Sequence, residues 1–97
     1  MTRIELYTKA WCPYCHAAKK LLERRGLAYD EIDLTDDPVR EREMIDRARR
    51  KSVPQVFVDD VHVGGFDDLA ALDREGGLDR AIEAGGAPLS EQARALH

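Results

Sequence analysis

The sequence predicts an α/β fold: one domain in which a mixed four-stranded sheet is flanked by helices, with the elements in the order β-α-β-α-β-β-α. Short β-rich segments alternate along the chain with longer segments that have the apolar spacing of amphipathic helices. The last two β-rich segments are separated by only two residues, which predicts an antiparallel hairpin. A chain of 97 residues with 43% hydrophobic residues is suited to one domain that buries roughly 60 to 65% of its unfolded surface.

The first half of the chain predicts two strands and two helices. Residues 4–7 alternate between apolar and polar side chains and form the first strand. A helix is predicted over residues 13–25, where small and apolar residues recur at helical spacing and Gly26 follows as a typical C-cap residue. A second strand over residues 28–34 and a second helix over about 38–49 follow, with Pro38 in the first helical turn.

The second half predicts the hairpin and two further helices. Its strands cover residues 53–58 and 61–63, and residues 64–68 end the second of them and cap a helix that runs to about residue 75. A short helix over residues 78–84 precedes a small, polar tail over residues 85–97 that we expect to be frayed. The residues predicted to form the core are Ile4, Leu6, Leu21, Leu22, Ile32, Val56, Val58 and Leu69.

The charge balance excludes some classes of partner. The formal net charge is −4, from 15 basic and 19 acidic residues that are interspersed along the chain, so we expect no nucleic acid partner. The first ten residues have no signal-peptide pattern and no run of 18 apolar residues occurs. We therefore expect no membrane association and a location in the reducing cytoplasm, where a lone cysteine pair is more often catalytic or metal-binding than structural.

Both cysteines of the chain lie at the junction between the first strand and the first helix. Cys12 and Cys15 are separated by two residues, and side chains at positions i and i+3 of a helix are about 5 to 6 Å apart, within the range of a disulfide. Pro13 suits the first helical position, which places Cys12 at the positive end of the helix and Cys15 one turn inside. A thiolate is favoured at Cys12, so this residue is the candidate nucleophile.

Two other functions of the cysteine pair are disfavoured. A zinc site needs four ligands, and the remaining candidates are His16, His62, His97 and carboxylates without paired spacing, so we expect no metal. The letters CPYCH also match the C-x-x-C-H pattern of c-type haem attachment, but that pattern belongs to exported, usually helical proteins. A redox disulfide is the favoured interpretation, with His16 as a partly exposed helix residue.

Three motifs in order make the chain resemble the dithiol glutaredoxins, a family with the thioredoxin-like fold, over about residues 3–84. They are CPYC after Thr8-Lys9, then Val53-Pro54, then Gly64-Gly65-Phe66-Asp67-Asp68. The resemblance implies a glutaredoxin domain over residues 1–84 that acts as a monomer on glutathionylated or disulfide-bonded proteins. It also implies that Cys12 attacks a glutathione mixed disulfide, and that a second glutathione or Cys15 resolves the glutathionylated Cys12.

The resemblance further implies a glutathione groove. Its predicted residues are Lys9, Tyr14, Val53, Pro54, Gly65, Phe66 and Asp67. Lys9 is the candidate for the glycine carboxylate of glutathione, with Arg40 a weaker one, and Tyr14 is expected at an exposed rim. The Val53-Pro54 bond is expected to be cis, and Asp67 is expected to act both as helix cap and as ligand.

The chain departs from the family pattern at Ser52, Phe66 and Trp11. These departures bear on which substrates the protein accepts more than on the reaction at the cysteines. Two alternative functions stay open: an electron donor supplied by thioredoxin reductase, and a carrier of a [2Fe-2S] cluster between two protomers with glutathione as extra ligand. Lys9 and Asp67 favour glutathione over a reductase supply. Pro13 and Tyr14 argue against the cluster carrier, because by resemblance such carriers more often have a small residue after the active cysteine.

Overall fold

A computed structural model of the chain describes residues 3–84, in which four strands and four helices form the predicted α/β arrangement. The strands are β1 (Ile4–Thr8), β2 (Asp30–Asp33), β3 (Gln55–Val58) and β4 (Val61–Gly64), and the helices are α1 (Pro13–Arg24), α2 (Pro38–Ala48), α3 (Phe66–Arg74) and α4 (Gly77–Ala84). The predicted tail, residues 85–97, lies outside the described residues. None of the helices within residues 3–84 has an apolar stretch long enough to cross a membrane.

The sheet is mixed, as predicted, and its strands lie in the order β2-β1-β3-β4. β1 pairs in parallel with β2 and antiparallel with β3, and β3 pairs antiparallel with β4. Tyr7 near the end of β1 lies opposite Gln55 at the start of β3. The loop that follows β1 and the loop that precedes β3 are therefore neighbours at one end of the sheet, and these two loops carry the cysteine motif and Val53-Pro54.

Both faces of the sheet are covered, so the domain has two apolar clusters. The larger cluster contains seven of the eight predicted core residues and is completed by Ala18, Leu27 and Leu78. Ile32, the eighth, is only partly buried and packs against the second cluster, which consists of Tyr7, Leu34, Met44, Ala48 and Phe57. The alternation in β1 predicts one buried face, whereas all five residues of that strand are buried because α2 covers the other face.

A buried ion pair accompanies the second cluster. Glu5 of β1 is 8% exposed and its carboxylate lies 3.0 Å from the guanidinium of Arg47 in α2. Arg47 also donates a hydrogen bond of 2.9 Å to the hydroxyl of Tyr7 and lies over the ring of Phe57 at 4.0 Å. A charge in the central strand is thus compensated by a second charge and by hydrogen bonds, as a buried carboxylate requires.

The hairpin between β3 and β4 forms as predicted, except that its first strand begins at Gln55 and not at residue 53. Asp59 and Asp60, the two residues between the strands, have φ values of 49° and 68°, which is the left-handed backbone that a tight two-residue hairpin needs. Gly64 ends β4 with φ 123°, and a Cβ atom at this position would collide with the carboxylate of Asp68. Only glycine fits there, so Gly64 fixes the turn from β4 into α3.

The edge strand β2 is polar along its length. Asp30, Glu31 and Asp33 are exposed, and only Ile32 of this strand is partly buried. β2 is shorter than the predicted strand of residues 28–34. Leu34 follows β2 and is 2% exposed, in the second cluster.

Candidate active site

Cys12 is the N-cap residue of α1 and lies directly after the loop that leaves β1. Its backbone is extended (φ −97°, ψ 109°), and its Sγ accepts a hydrogen bond of 3.1 Å from the backbone N–H of Cys15. The sulfur therefore takes the place that a Ser, Thr or Asp oxygen has at many helix N-termini. This contact and the helix dipole both stabilise negative charge on Cys12 Sγ.

Cys15 lies in the first turn of the same helix and is almost completely buried, with 1% of its surface exposed. Burial, with a smaller contribution from the neighbouring Cys12, raises the pKa of the Cys15 thiol to about 12. Both cysteines are free thiols in this structure. The two sulfurs are thus unequal in the way the sequence predicts, because Cys15 is held as a neutral thiol behind Cys12.

The Val53-Pro54 peptide bond is cis, as expected, and lies against the cysteines. The Cys12 thiol donates to the carbonyl oxygen of Val53 at 3.6 Å, a long contact typical of sulfur. A groove of about 210 Å³ continues from Val53. Its lining residues are Tyr14, Arg50, Ser52, Val53, Pro54, Gly65, Phe66, Asp67 and Asp68.

Aromatic side chains form one side of this groove. Tyr14, between the two cysteines, is 62% exposed and its ring lies 6.3 Å from the ring of Phe66. Trp11 is 71% exposed just before Cys12. The predicted exposed position of Tyr14 is confirmed, and the candidate nucleophile lies next to an aromatic rim.

The N-terminus of α3 forms a further part of the groove. The N–H groups of Phe66 and Asp67 are in the first turn of this helix, where backbone donors have no partner within the helix. Asp68 accepts a hydrogen bond of 3.0 Å from the N–H of Gly65, and Arg50 donates to the same carboxylate at 3.2 Å. The hydrogen bond from Gly65 and the charge of Arg50 both hold the pKa of Asp68 below its usual value.

The expectation that Asp67 caps α3 is wrong. Asp68 has this role, because the third residue of a helix can reach back to the N–H of the N-cap residue and Gly65 has no side chain to cap with. Within the part of the chain that the structure describes, the Asp67 carboxylate makes no hydrogen bond or ion pair, and it lines the groove. Asp67 is therefore available to a ligand, whereas Asp68 is committed to the fold.

The chain matches the family model for glutaredoxins over residues 4–63, which includes both cysteines, the cis peptide and most of the sheet. This chain belongs to the glutaredoxin family. As a glutaredoxin it is a thiol-disulfide oxidoreductase, and its mixed four-stranded sheet with flanking helices is the thioredoxin-like fold of that family.

Relatives and solved structures agree with the family match. Glutaredoxin 3 of Escherichia coli K12 is 49% identical over 83 residues, which cover 86% of this chain and all of the relative, and a glutaredoxin of Pseudomonas aeruginosa is 44% identical over 87% of this chain and all of the relative. The solution structure of a glutaredoxin from Brucella melitensis superposes with a TM-score of 0.77 at 46% identity, covering 88% of this chain and 92% of that one. A crystal structure of a buckwheat glutaredoxin-glutathione complex has the same TM-score at 27% identity, covering 90% and 82%.

The glutaredoxin fold brings most of the predicted site residues together. Six of the seven predicted groove residues line the groove, and Lys9 does not. The ammonium of Lys9 pairs with Glu41 at 3.0 Å, and the weaker candidate Arg40 pairs with Glu43 at 3.2 Å on the outer side of α2. The cation in the groove is Arg50, which belongs to none of the sequence motifs.

Arg50 and Ser52 lie in the segment between α2 and the cis peptide. Charged residues there are numerous, since Arg47, Arg49, Arg50 and Lys51 lie close together, so the sequence gives no signal for the one that faces the groove. Among the described residues no group of three or more His, Cys, Asp or Glu side chains is close enough to hold a metal ion. His16 is exposed on α1, in agreement with its predicted position.

Proposed function

We propose that this glutaredoxin reduces glutathione mixed disulfides and protein disulfides through Cys12 and Cys15, with glutathione as co-substrate. One observation carries the proposal: a single groove runs from beside Cys12 to a charged end formed by Arg50, Asp67 and the N-terminus of α3. An electron donor that is supplied by thioredoxin reductase does not bind glutathione and has no need of a groove with a charged end. The buckwheat glutaredoxin-glutathione complex, a structure of the same fold, supports this choice of ligand.

The charged end of the groove suits the γ-glutamyl group of glutathione, which carries an ammonium and a carboxylate on one carbon. The N–H groups of Phe66 and Asp67 and the guanidinium of Arg50 would bind the carboxylate. The carboxylate of Asp67 would bind the ammonium. Arg50 uses only some of its five N–H donors on Asp68, so it can bind a second carboxylate without leaving the first.

The rest of the tripeptide would lie between this end and Cys12. The backbone of Val53 can pair with the peptide as a strand does, and Tyr14 with Phe66 would flank it. Lys9 is retained as a candidate for the glycine carboxylate, in competition with Glu41. Pro54 and Gly65 contribute surface and backbone to the groove.

The reaction on a mixed disulfide RS–SG needs only Cys12. The Cys12 thiolate attacks the glutathione sulfur, the S–S bond breaks, and RS⁻ leaves and takes up a proton. Cys12 is then joined to glutathione, and the thiolate of a second glutathione attacks that glutathione sulfur. Oxidised glutathione leaves and the Cys12 thiolate is regenerated, so each turnover consumes one free glutathione and the other half of the oxidised glutathione comes from the substrate.

The reaction on a protein disulfide also needs Cys15. Cys12 attacks one sulfur of the substrate, and Cys15 then attacks the Cys12 sulfur, which releases the reduced protein and leaves a Cys12–Cys15 disulfide for two glutathione molecules to reduce. The hydrogen bond and charge of Cys12 that raise the pKa of Cys15 are lost once Cys12 is in a mixed disulfide. Cys15 thus becomes easier to deprotonate at the step where it must attack.

Each chain holds both cysteines and the whole groove, so the proposed reaction proceeds in a monomer. Because glutathione must be kept reduced for turnover, we place the activity in a reducing compartment such as the cytoplasm.

The deciding experiment is turnover of the mixed disulfide between glutathione and 2-mercaptoethanol, with glutathione, glutathione reductase and NADPH as the coupled supply. We expect NADPH oxidation that depends on both the protein and glutathione. Absence of turnover there, with turnover through thioredoxin reductase on a protein disulfide, would overturn the proposal in favour of a reductase-supplied donor. Visible absorption after anaerobic purification would instead favour a [2Fe-2S] carrier.

A further inference from the structure

Gln55 is a fully buried polar residue directly after the cis peptide, and its side-chain amide is satisfied at both ends. The amide nitrogen donates to the backbone oxygen of Ser52 at 3.1 Å and lies 3.3 Å from the Ser52 hydroxyl. The amide oxygen lies 2.7 Å from Nε2 of His62 in β4. Since Ser52 lines the groove, Gln55 connects the interior of the sheet to the groove wall across the Val53-Pro54 bond.

His62 must be the donor in its contact with Gln55. The amide nitrogen of Gln55 faces Ser52, so its oxygen faces the imidazole and can only accept. The imidazole ring also packs on the ring of Phe57, with 4.9 Å between the ring centres. His62 is thus held by one stacking contact and one hydrogen bond, and its Nε2–H sets the orientation of the Gln55 amide.

The hydrogen bond from His62 to Gln55 does not depend on the protonation state of His62. Burial lowers the pKa of His62, as do Arg50 and Arg47, and Asp68 opposes them. Neutral His62 with its proton on Nε2 donates to Gln55, and so does the charged form, because both ring nitrogens then carry protons. The contact therefore persists in either protonation state, and it acts as a fixed support and not as a pH switch.

We infer that His62 and Gln55 are positioning residues for the glutathione groove: His62 orients the Gln55 amide, and Gln55 holds the Ser52-Val53-Pro54 segment in the conformation that lines the groove. The inference rests on the proposed function, because it concerns the same groove. Neither residue lines the groove, so neither is expected to touch substrate. Both act through Ser52, whose backbone oxygen would otherwise be free to turn away.

The test compares His62→Phe, which keeps the ring on Phe57 but removes the donor, with Gln55→Met, which keeps the volume but removes the amide. For the mixed disulfide of glutathione and 2-mercaptoethanol, we expect KM to rise about three- to tenfold in each variant with kcat changed less than about twofold. The rate of Cys12 alkylation by iodoacetamide should stay unchanged. Val61→Thr, at an exposed position of the same strand, is the matched control and should leave KM unchanged.

Two further variants separate positioning from general destabilisation. His62→Gln keeps a side-chain N–H donor, so it should recover part of the KM lost in His62→Phe. In the double variant His62→Phe/Gln55→Met, KM should be no higher than in Gln55→Met alone, because His62 acts through Gln55. If His62→Phe fails to fold, Gln55→Met tests the positioning role on its own. If Gln55→Met fails to fold, the comparison of His62→Phe with His62→Gln tests it.

The outcomes are distinguishable from failure of the proposed function. If the unaltered protein does not turn over the mixed disulfide, the proposed function fails and the inference with it. If the unaltered protein does turn it over and the folded variants have the same KM, the positioning role is overturned while the function stands. Additive effects in the double variant would overturn the assignment of His62 as acting through Gln55.

Discussion

The backbone N–H of Cys15 donates a hydrogen bond of 3.1 Å to the Sγ of Cys12. The helix turn that buries one sulfur thus also stabilises the thiolate of the other, and the two cysteines have different chemistry because they are one turn apart at the start of α1. The N-cap position of Cys12, the burial of Cys15 and the cis peptide opposite them define the reactive centre.

The first prediction concerns the division of labour between the cysteines. Cys12→Ser should abolish all thiol exchange, because Cys12 is the sulfur at the groove. Cys15→Ser should retain reduction of glutathione mixed disulfides and lose reduction of protein disulfides that need an intramolecular resolving thiol. The coupled assay with each substrate class measures this, and equal loss of mixed-disulfide activity in both variants would contradict it.

The second prediction concerns alkylation of the resting protein. Because burial raises the pKa of Cys15 to about 12, its thiol should stay protonated and unreactive at pH 7 to 9. Iodoacetamide should add a single label, and peptide mapping should place it on Cys12. In Cys12→Ser the contribution of the Cys12 thiol is removed but burial remains, so labelling of Cys15 should stay slow. Two labels at comparable rates in the folded protein would be inconsistent with this picture.

The third prediction separates two adjacent carboxylates. Asp67→Asn removes the charge proposed to bind the γ-glutamyl ammonium, and a hydrogen bond to a charged group contributes about 1.5 to 3 kcal/mol, so kcat/KM for the glutathione substrate should fall about ten- to a hundredfold. Asp68→Ala removes the cap on Gly65, which at about 1 kcal/mol should lower the melting temperature by about 4 to 8 °C.

The pair of aspartate variants serves as its own control. Asp67→Asn should lower the melting temperature by less than Asp68→Ala, because it loses only an interaction with the helix dipole. Alkylation of Cys12 should proceed at the same rate in both. Unchanged kcat/KM in a stably folded Asp67→Asn protein would remove this charge from the binding model.

The fourth prediction tests which arginine recognises substrate. Arg50→Gln should lower kcat/KM for the glutathione substrate by about tenfold, because the groove loses its guanidinium. Arg40→Gln removes the same charge from the outer side of α2, where Arg40 pairs with Glu43, and should change kcat/KM by less than about twofold. Steady-state kinetics on both variants gives the comparison, and a larger loss in Arg40→Gln would reverse the assignment.

The fifth prediction is a pH dependence of stability. The pKa of His62 is lower in the folded protein than the unfolded value of about 6.5. The unfolded state therefore binds more protons as the pH falls below about 6.5, and stability is lost from there down to the folded pKa, whereas above 6.5 it is complete. The melting temperature should fall less between pH 7 and pH 5 in His62→Phe than in the unaltered protein.

The pH range isolates the histidine. Asp68, whose pKa is also lowered, loses its contribution only as the pH falls below about 4, which is outside this range. Equal slopes in the two proteins between pH 7 and pH 5 would show that His62 titrates alike in the folded and unfolded states.

Most of the fold follows from local sequence patterns, whereas the second apolar cluster does not. The helix over 13–24, the hairpin at Asp59-Asp60 and the element order depend on spacing and turn chemistry that are visible in the chain. Burial of Glu5 and Tyr7 depends on α2 crossing the sheet and on Arg47 reaching both of them, 40 or more residues away. The strand β1 is therefore buried on both faces, although its apolar and polar residues alternate in the sequence.

Some residues of the candidate site can likewise be predicted from local sequence motifs, whereas others cannot. The cysteines and six groove residues belong to contiguous motifs, so their chemistry can be predicted from residue type and position. Arg50 and the pair Gln55-His62 act through contacts between segments, such as the 3.2 Å hydrogen bond from Arg50 to Asp68, and no local pattern distinguishes them. The prediction that Asp67 caps α3 is wrong because the capping position depends on one residue of helix register at Gly65.

The polar edge strand β2 has a consequence for the protein at high concentration. An open strand edge offers unpaired backbone groups to the edge of another molecule, which is a common route to aggregation. In β2 the exposed Asp30, Glu31 and Asp33 would have to give up water, and a second copy of the strand would also disturb the ion pairs of Asp30 with Arg3 and of Glu31 with Lys19. This edge of the sheet thereby resists intermolecular sheet growth.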